Sequence, residues 1–191
     1  PVERPPANFP EGGKVVGFVG SLEGEWVDLD LVEKLAKRRR AWEFVLVGPY
    51  AAALKSRFRH LRNVHLVGER AHRRVHCYID QFDVGIIPFH VNRLTRAVSP
   101  IKVFDYLARG KPVVASLLPE LRRYPGVVCA ATIGEWLDAL ARADPSALPH
   151  QELEEFLSRN TWERRAETMW QAAMRGGTHE NHHLQCSSAI V

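Results

Sequence analysis

The stretch from Val98 to Gly110 holds the residues whose types and spacing are best suited to bind a ligand. Lys102 carries an ammonium in the first turn of a predicted helix, where free backbone amides and the positive end of the helix dipole also favour an anion. Asp105 lies three residues further on and so on roughly the same face, where its carboxylate could accept hydrogen bonds from a sugar diol. The segment therefore predicts one helix that could hold a diphosphate and a ribose together.

Residue types mark both ends of this helix. Ser99 is a favoured N-cap, Pro100 suits the first helical position, and Gly110 is typical of the residue just past a helix end. These signals predict a helix over residues 100–109. A purely structural interpretation stays open, in which the serine is only a cap and the lysine and aspartate form only a surface pair.

Short β-branched runs alternate with longer amphipathic stretches from Lys14 onward. This alternation predicts an α/β fold, a Rossmann-like doubly wound parallel sheet with helices on both faces. Ligands of such sheets bind beyond the carboxyl ends of the strands, near the point where the strand order reverses. The predicted strands are K-V-V-G-F-V-G, E-F-V-L-V-G, V-H-L-V-G, D-V-G-I-I-P, K-P-V-V-A and G-V-V-C-A.

The chain has the length of one ordinary domain, and its 191 residues, 46% of them hydrophobic, can bury a core of that size. Residues 1–13 are rich in proline and glycine and are predicted to be a linker. Residues 14–175 are predicted to be the ordered domain. Residues 176–191 show no periodicity and are predicted to be a disordered tail.

A formal net charge of +4 is too low for a dedicated nucleic-acid binder, so no nucleic-acid partner is predicted. The basic run at 37–40 could contact anionic lipid, but it also closes a helix, where cations stabilise the dipole, so at most peripheral membrane contact is expected. No apolar run reaches bilayer length, and the three cysteines are scattered. We expect a cytoplasmic location.

Metal binding is not predicted, although two patterns suggest it. Asp28-Leu29-Asp30 matches a metal-binding D-x-D element, but it opens a predicted helix, where aspartate is an excellent cap. His72 and His76 are four residues apart without the glutamate of a zinc-peptidase helix, and His90 has no carboxylate partner nearby in sequence. Further histidines fall in the predicted tail, at His179, His182 and His183.

From Val15 to about Met174 the chain resembles the C-terminal, donor-binding domain of bacterial GT-B glycosyltransferases of the family 4 and group 1 superfamily. Six ordered matches carry the resemblance and make chance an insufficient explanation. They are F-V-G-S at 18–21, W-V-D at 26–28, F-V-L-V-G-P at 44–49, N-V-H-L-V-G at 63–68, F-D-V-G-I-I-P-F at 82–89, and S-P-I-K-V-F-D-Y-L-A-R-G-K-P-V-V at 99–114.

The resemblance implies a nucleotide-sugar-binding domain over residues 14–175, half of a GT-B fold. It implies that the donor diphosphate is contacted by Gly20, Ser21, Ser99, Ile101 and Lys102. It implies that Asp105 binds the ribose and that the base lies next to Gly68, Glu69 and Arg70. The transferred sugar would lie near Asn92, Thr95 and Arg96.

Two departures from the family pattern bear on these roles. The ribose position is usually glutamate, and Asp105 is one methylene shorter; Ala97 stands where many members carry another glutamate. The first strand–helix loop reads S-L-E-G-E-W and lacks the arginine and lysine of many relatives. More of the phosphate neutralisation therefore falls to Lys102.

The implied activity is retaining, metal-independent transfer of a hexosyl group from a UDP-linked or GDP-linked sugar to an unknown acceptor, as in polysaccharide biosynthesis, with no cofactor. A GT-B enzyme also needs an N-terminal acceptor-binding domain, so this chain alone is expected to be inactive. Two alternatives stay open: a noncatalytic nucleotide-binding module that has lost its acceptor domain, and a sugar-nucleotide epimerase-like protein.

Overall fold

The computed structural model describes residues 9–10 and 12–176. The chain divides into two compact units, one ending at Leu148 and one beginning at Pro149. The first unit contains a parallel sheet of six strands in the order β3-β2-β1-β4-β5-β6. The strands are β1 (Val15–Val19), β2 (Glu43–Val47), β3 (Val64–Gly68), β4 (Val84–Ile87), β5 (Val113–Ser116) and β6 (Val127–Ala130).

Five helices accompany the sheet in this unit, and the predicted Rossmann-like α/β fold is confirmed. They are α1 (Leu29–Arg38), α2 (Ala52–Phe58), α3 (His72–Ile79), α4 (Lys102–Leu107) and α5 (Ile133–Arg142). Side chains of α1, α2 and α5 share one hydrophobic core with the sheet. The crossovers from β3 to β4 and from β4 to β5 run across the sheet in the opposite direction to those from β1 to β3. Because parallel crossovers are right-handed, they place α3 and α4 on the opposite face.

The second unit contains α6 (His150–Arg159) and α7 (Trp162–Gly176). Asn160 separates them, and its side-chain amide donates to the Phe156 carbonyl (2.8 Å). Most of the predicted linker and tail, including the tail histidines and Cys186, lies outside the described residues. Within the described ranges, no helix combines the length and the apolar character needed to cross a bilayer.

Two glycines face each other where the strand order reverses. Gly17 of β1 pairs with Gly85 of β4. A Cβ on Gly17 would lie 2.0 Å from the Phe82 ring, and a Cβ on Gly85 would lie 2.5 Å from the Tyr106 ring. Both positions need glycine because an aromatic ring packs directly on each backbone. The rings of Phe82 and Tyr106 also contact each other, with centroids 6.3 Å apart.

The helix predicted over 100–109 begins later than expected. Its first turn is tight, since the Val103 amide donates to Pro100 O (3.1 Å) and the regular helix begins at Lys102. Ser99 does not cap it; its hydroxyl lies 3.4 Å from the Tyr124 hydroxyl instead. The N-cap prediction is therefore wrong, because a partner 25 residues further along the chain takes the serine side chain.

The predicted end of α4 is confirmed. Gly110 has φ of +66°, a left-handed conformation that favours glycine. Its amide donates to Leu107 O (2.9 Å), and the Lys111 amide donates to Tyr106 O (3.0 Å). This pair of bonds is a Schellman motif, which satisfies the carbonyls at the end of the helix.

Candidate functional site

Glycines form a ledge of bare backbone at the carboxyl ends of β1, β2 and β3. The Gly20 amide donates to Val47 O (2.8 Å), and the Gly48 amide donates to Gly68 O (3.0 Å). A Cβ on Gly48 would stand 1.8 Å from the Gly20 carbonyl oxygen, so a larger residue cannot fit there. Without side chains, this ledge lets another molecule approach the main chain closely.

Lys102 reaches from the start of α4 to this ledge. A Cβ on Gly20 would lie 2.9 Å from Lys102 Cε, so the lysine side chain runs along the Gly20 backbone. Lys102 forms no salt bridge with any described residue, and it is partly buried. Two residues predicted to contact one diphosphate, 82 positions apart in sequence, are thus brought together by the fold.

The amides next to Lys102 are available as donors. Pro100 has no amide hydrogen, and the backbone N–H groups of Ile101 and Lys102 form no hydrogen bond within the described part of the chain. Ile101 itself is exposed. An anion at this point would meet two free N–H groups and an ammonium.

Ser99 is held by a chain of hydroxyl and carboxyl groups. Its hydroxyl lies 3.4 Å from that of Tyr124, which donates to Glu120 Oε1 (2.7 Å). Tyr124 also contacts the ring of Phe104, with centroids 5.6 Å apart. Only the backbone of Ser99, and not its hydroxyl, remains well suited to contact a ligand.

Tyr106 belongs to α4, is fully buried, and contacts β1 through its hydroxyl. Residues 16 and 17 of β1 pair with β4, but Val19 lies past the last of these pairs. Its amide donates instead to the Tyr106 hydroxyl (2.7 Å). Burial raises the pKa of this phenol above its ordinary range, so it stays neutral. Sequence analysis did not identify Tyr106, because in sequence it looks like any other aromatic residue on the buried face of a helix.

The segment after β3 is shaped by Arg70. Its Nε donates to the Tyr78 hydroxyl (3.0 Å) and its Nη1 donates to Glu69 O (2.8 Å). Gly68 has φ of +83°, and a Cβ there would lie 3.8 Å from both Arg70 Nη1 and Tyr50 Cε1. Tyr50 therefore borders the position predicted for the base, and no local sequence signal indicated it.

The loop after β4 is closed by its own side chains. The Asn92 amide donates to Thr95 Oγ1 (2.9 Å), and the Thr95 amide donates to Asn92 Oδ1 (2.9 Å). Thr95 is 1% exposed, and its hydroxyl also donates to the His90 carbonyl. The buried Thr95 thus holds the loop from inside, the exposed Asn92 is bonded to it, and Arg96 is exposed.

Asp28 and His90 are neighbours, contrary to the expectation that His90 lacks a carboxylate partner. His90 Nδ1 lies 3.7 Å from Asp28 Oδ2, because Val27 and Phe89 form an antiparallel bridge between the two loops. The predicted capping role of Asp28 is confirmed, since its Oδ1 accepts from the Leu31 amide (2.8 Å).

The pair His72 and His76 lies on α3, with ring centroids 5.8 Å apart. His72 is exposed, but His76 is only partly so, and its Nδ1 is buried without a hydrogen-bond partner in the described chain. His76 is therefore not a fully solvated surface histidine. Across residues 9–10 and 12–176, no three histidine, cysteine, aspartate or glutamate side chains form a metal-binding group.

A cavity of about 450 Å³ lies at the carboxyl ends of β4, β5 and β6. It adjoins the starts of α1 and α5, and Asp28 and His90 are among its lining residues. None of the residues predicted to contact a donor lines it. A second cavity is also lined by His90, and Asn92 is among its lining residues.

Comparisons with known proteins agree with this architecture. TuaH of Bacillus subtilis (strain 168), a provisionally assigned teichuronic acid biosynthesis glycosyltransferase, is 34% identical over 110 residues, which cover 56% of this chain and 28% of TuaH. Sucrose-phosphate synthase from Thermosynechococcus elongatus superposes with a TM-score of 0.72 at 18% identity, over 89% of this chain and 47% of that one. Anabaena HepE in complex with UDP and glucose gives a TM-score of 0.56 at 15% identity, over 88% and 49%.

The chain thus spans under a third of the curated relative and about half of each solved structure. At these identities the structural likeness establishes the fold alone. The family model described as "Glycosyl transferases group 1" matches residues 13–143, which is more than half of the chain. This chain therefore belongs to the group 1 glycosyl transferase family.

Proposed function

We propose that this chain binds the nucleotide-diphosphate-sugar donor of a glycosyltransferase. One observation carries the proposal: the Lys102 side chain lies along the Gly20 backbone, beside the free amides of Ile101 and Lys102. These groups stand at the carboxyl ends of the strands next to the reversal of strand order, where ligands of doubly wound sheets bind. Membership of the group 1 family supports the same assignment.

In this proposal the diphosphate lies on Gly20, with the ammonium of Lys102 and the backbone amides of Ser99, Ile101 and Lys102 around it. Ser21 shapes the loop, because its hydroxyl accepts from the Glu23 amide (3.1 Å). As the glycosidic bond to phosphate breaks, negative charge develops on the leaving diphosphate and meets donors that already point at it. Neutralisation by this chain's own groups gives the reaction a route that needs no metal.

The nucleoside extends from the diphosphate toward β3. Asp105, in the first turn of α4, accepts hydrogen bonds from the ribose diol, directly or through one water because its side chain is short. The base lies against Gly68 and Glu69, next to the Arg70 guanidinium that Tyr78 holds in place. Uridine nucleotides are the first ligands to test, since HepE has been solved with UDP, with UDP-glucose, and with UDP and glucose together.

The donor sugar is proposed to lie beside the loop of Asn92, Thr95 and Arg96. Asn92 and Thr95 act by fixing the loop, and the exposed Arg96 supplies the charged contact. Retention of anomeric configuration and a hexosyl donor are part of this proposal, and NMR of the product's anomeric proton would test both.

We also propose that residues 14–175 act as one donor-binding domain, paired in the complete enzyme with an acceptor-binding domain. Relatives about twice as long as this chain support this idea. The chain alone is then expected to bind nucleotide without transferring sugar. Adding the acceptor-binding half should restore turnover of the nucleotide sugar, and its failure to do so would favour a noncatalytic module.

Calorimetry of the 191-residue chain with UDP, GDP and ADP tests donor binding directly. Lys102→Met should weaken the best of these ligands by about tenfold or more, because a charge-assisted contact is lost. Lys37→Met is the matched control, since Lys37 is a lysine at the far end of α1 that pairs with Glu33 (2.6 Å). If none of the three binds, or if Lys37→Met is as damaging as Lys102→Met, the assignment is wrong.

A further inference from the structure

Positive charge gathers at the amino ends of the strands, the edge of the sheet opposite the proposed donor site. It comes from the two connections that lead from α1 into β2 and from α2 into β3. Because β2 and β3 are neighbouring parallel strands, these connections reach the same edge side by side. The cationic residues of the two connections and the adjoining helix ends are Arg38, Arg39, Arg40, Arg59, His60 and Arg62.

Contacts within the chain do not account for all of this charge. Lys37, in the last turn of α1, pairs with Glu33 (2.6 Å) and also stabilises the helix dipole. The side chains of Arg40 and Arg62 are exposed, and they form no hydrogen bond or ion pair within residues 9–10 and 12–176. Both arginines lie beyond a helix end, so stabilisation of a dipole does not explain them.

A cavity of about 370 Å³ lies between the two connections. Arg40, His60 and Arg62 line it, and the buried residues Leu61 and Asn63 complete its lining. Its volume falls within the range of about 300–1,000 Å³ that is usual for small-molecule sites. No aspartate or glutamate is among the lining residues, so the cavity is positively charged.

The carboxylate of Glu33 lies near this cavity but is already in use. Glu33 Oε1 is 3.6 Å from His60 Nε2, and the same carboxylate pairs with Lys37 and Arg57. These two cations hold the pKa of Glu33 below its ordinary value, so the carboxylate stays ionised and paired. The charges of Arg40 and Arg62 are left without a counterpart in the described chain.

Asn63 fixes the two connections to each other. Its side-chain amide donates to the carbonyls of Ala36 (3.1 Å), Arg39 (3.2 Å) and Trp42 (3.0 Å). These bonds satisfy carbonyls at the negative end of α1, which would otherwise disfavour an anion. The backbone on both sides of the cavity is thus held in place before any ligand binds.

We propose that this cavity binds a phosphate group, with the guanidinium groups of Arg40 and Arg62 and an N–H group of His60 as donors. Arginine presents a planar fork of N–H groups that matches two phosphate oxygens at once. Two unpaired guanidinium groups balance a phosphate dianion, whereas one carboxylate would leave a positive charge unmatched. A phosphate monoester therefore fits the cavity better than a carboxylic acid.

This site goes beyond the proposed donor site and does not depend on it. The five-residue strand β2 runs from one edge of the sheet to the other, which separates the two edges by about 16 Å. A phosphate group held at Arg40 and Arg62 would leave Lys102 open to nucleotide. Free phosphate and the headgroup of an acidic lipid offer the same chemistry, and the experiments below separate them.

The first test is a ¹H–¹⁵N NMR titration of the 191-residue chain with sodium phosphate, with sodium chloride holding the ionic strength constant. Phosphate should shift the amides of the residues that line the cavity, Arg40, Leu61, Arg62 and Asn63. Acetate at the same concentration should shift them much less, because it carries a single charge. If phosphate leaves these amides unmoved, or if acetate shifts them equally, the proposal is overturned.

Variants separate a built site from diffuse attraction. Arg40→Gln and Arg62→Gln should each weaken phosphate binding by about tenfold, since each removes a charge-assisted contact. Arg38→Gln is the matched control, because it removes the same charge from the same edge although Arg38 does not line the cavity. Urea unfolding of all three variants should match the wild type, since these side chains are exposed. Equal weakening by Arg38→Gln would show that only the general positive charge attracts phosphate.

Vesicle flotation identifies the source of the phosphate group. Vesicles of phosphatidylcholine alone are compared with vesicles that also contain phosphatidic acid, whose headgroup is a phosphate monoester. If the chain floats only with phosphatidic acid, and Arg62→Gln releases it while Arg38→Gln does not, the cavity takes a lipid headgroup. If the chain does not float but phosphate shifts the cavity amides, the ligand is a soluble phosphate. Both results uphold the phosphate site, whereas flotation that Arg38→Gln abolishes to the same degree contradicts it.

Discussion

Tyr106→Phe should destabilise the protein although it removes a single oxygen. The Tyr106 hydroxyl accepts from the buried Val19 amide at 2.7 Å, at the end of the β1–β4 ladder. Phenylalanine keeps the ring between Gly85 and Phe82, so packing changes little. The change leaves one buried N–H group without a partner.

The expected loss is about 1–3 kcal/mol in the free energy of unfolding, the usual cost of an unsatisfied buried donor. The lower half of this range is favoured, because the variant no longer has to bury a hydroxyl. For a domain of this size, a loss of ~1.5 kcal/mol corresponds to a fall of about 3–6 °C in the melting temperature.

Equilibrium unfolding in urea measures this change, with an unaltered slope showing that both end states are the same. Tyr50→Phe serves as the control, because Tyr50 is partly exposed and its hydroxyl has no hydrogen bond to a described residue. A loss below about 0.5 kcal/mol for Tyr106→Phe, or an equal loss for the control, would refute the idea that this hydroxyl joins β1 to α4.

Three further changes test the same architecture. Gly85→Ala should cost about 1–3 kcal/mol in urea unfolding, because the new methyl group would lie 2.5 Å from the Tyr106 ring; no loss would contradict the close packing. Asn63→Ala should cost about 2 kcal/mol by the same assay, since its side-chain amide donates to three carbonyls in the last turn of α1 and the connection to β2; wild-type stability would show that water replaces it. Asp80→Asn should cost about 1 kcal/mol at pH 7, because Arg109 holds the pKa of Asp80 below its ordinary 3.8. This stability is fully present above pH 3.8 and is lost as the pH falls through the lower folded value, so the cost should shrink as the pH is lowered below 3.8; a cost that does not change with pH would contradict the ion pair.

The sheet could be predicted from the sequence because its four central strands are short apolar runs buried on both faces. The run at 43–47 and the run at 84–87 have no polar alternation, which is typical of parallel strands under two helical layers. The end of α4 could be predicted for a similar reason, because its signal is a single residue, Gly110, which adopts the left-handed conformation. Such features depend on neighbours within a few positions.

The start of α4 could not be predicted in the same way. Ser99 has the right type for a cap, but its hydroxyl goes to Tyr124, which follows β5 and reaches Ser99 only once the sheet has formed. The neighbourhood of Asp28 and His90 has the same origin, because the bridge between Val27 and Phe89 joins loops 62 positions apart. Spacing along the chain carries no information about either contact.

The end of β4 separates two chemical environments, and the difference between them lies in how the amides at nearby helix starts are used. At Ile101 and Lys102, the preceding Pro100 and the displaced Ser99 side chain leave the amides free, beside an ammonium. At the start of α1, the carboxylate of Asp28 caps the helix by accepting from the Leu31 amide, and it adds a negative charge there. An anion is therefore stabilised better beside the ammonium of Lys102 than beside the carboxylate of Asp28. The resemblance located the first of these environments, and the second required the coordinates, since a capping aspartate looks the same in sequence whether or not a cavity lies beside it.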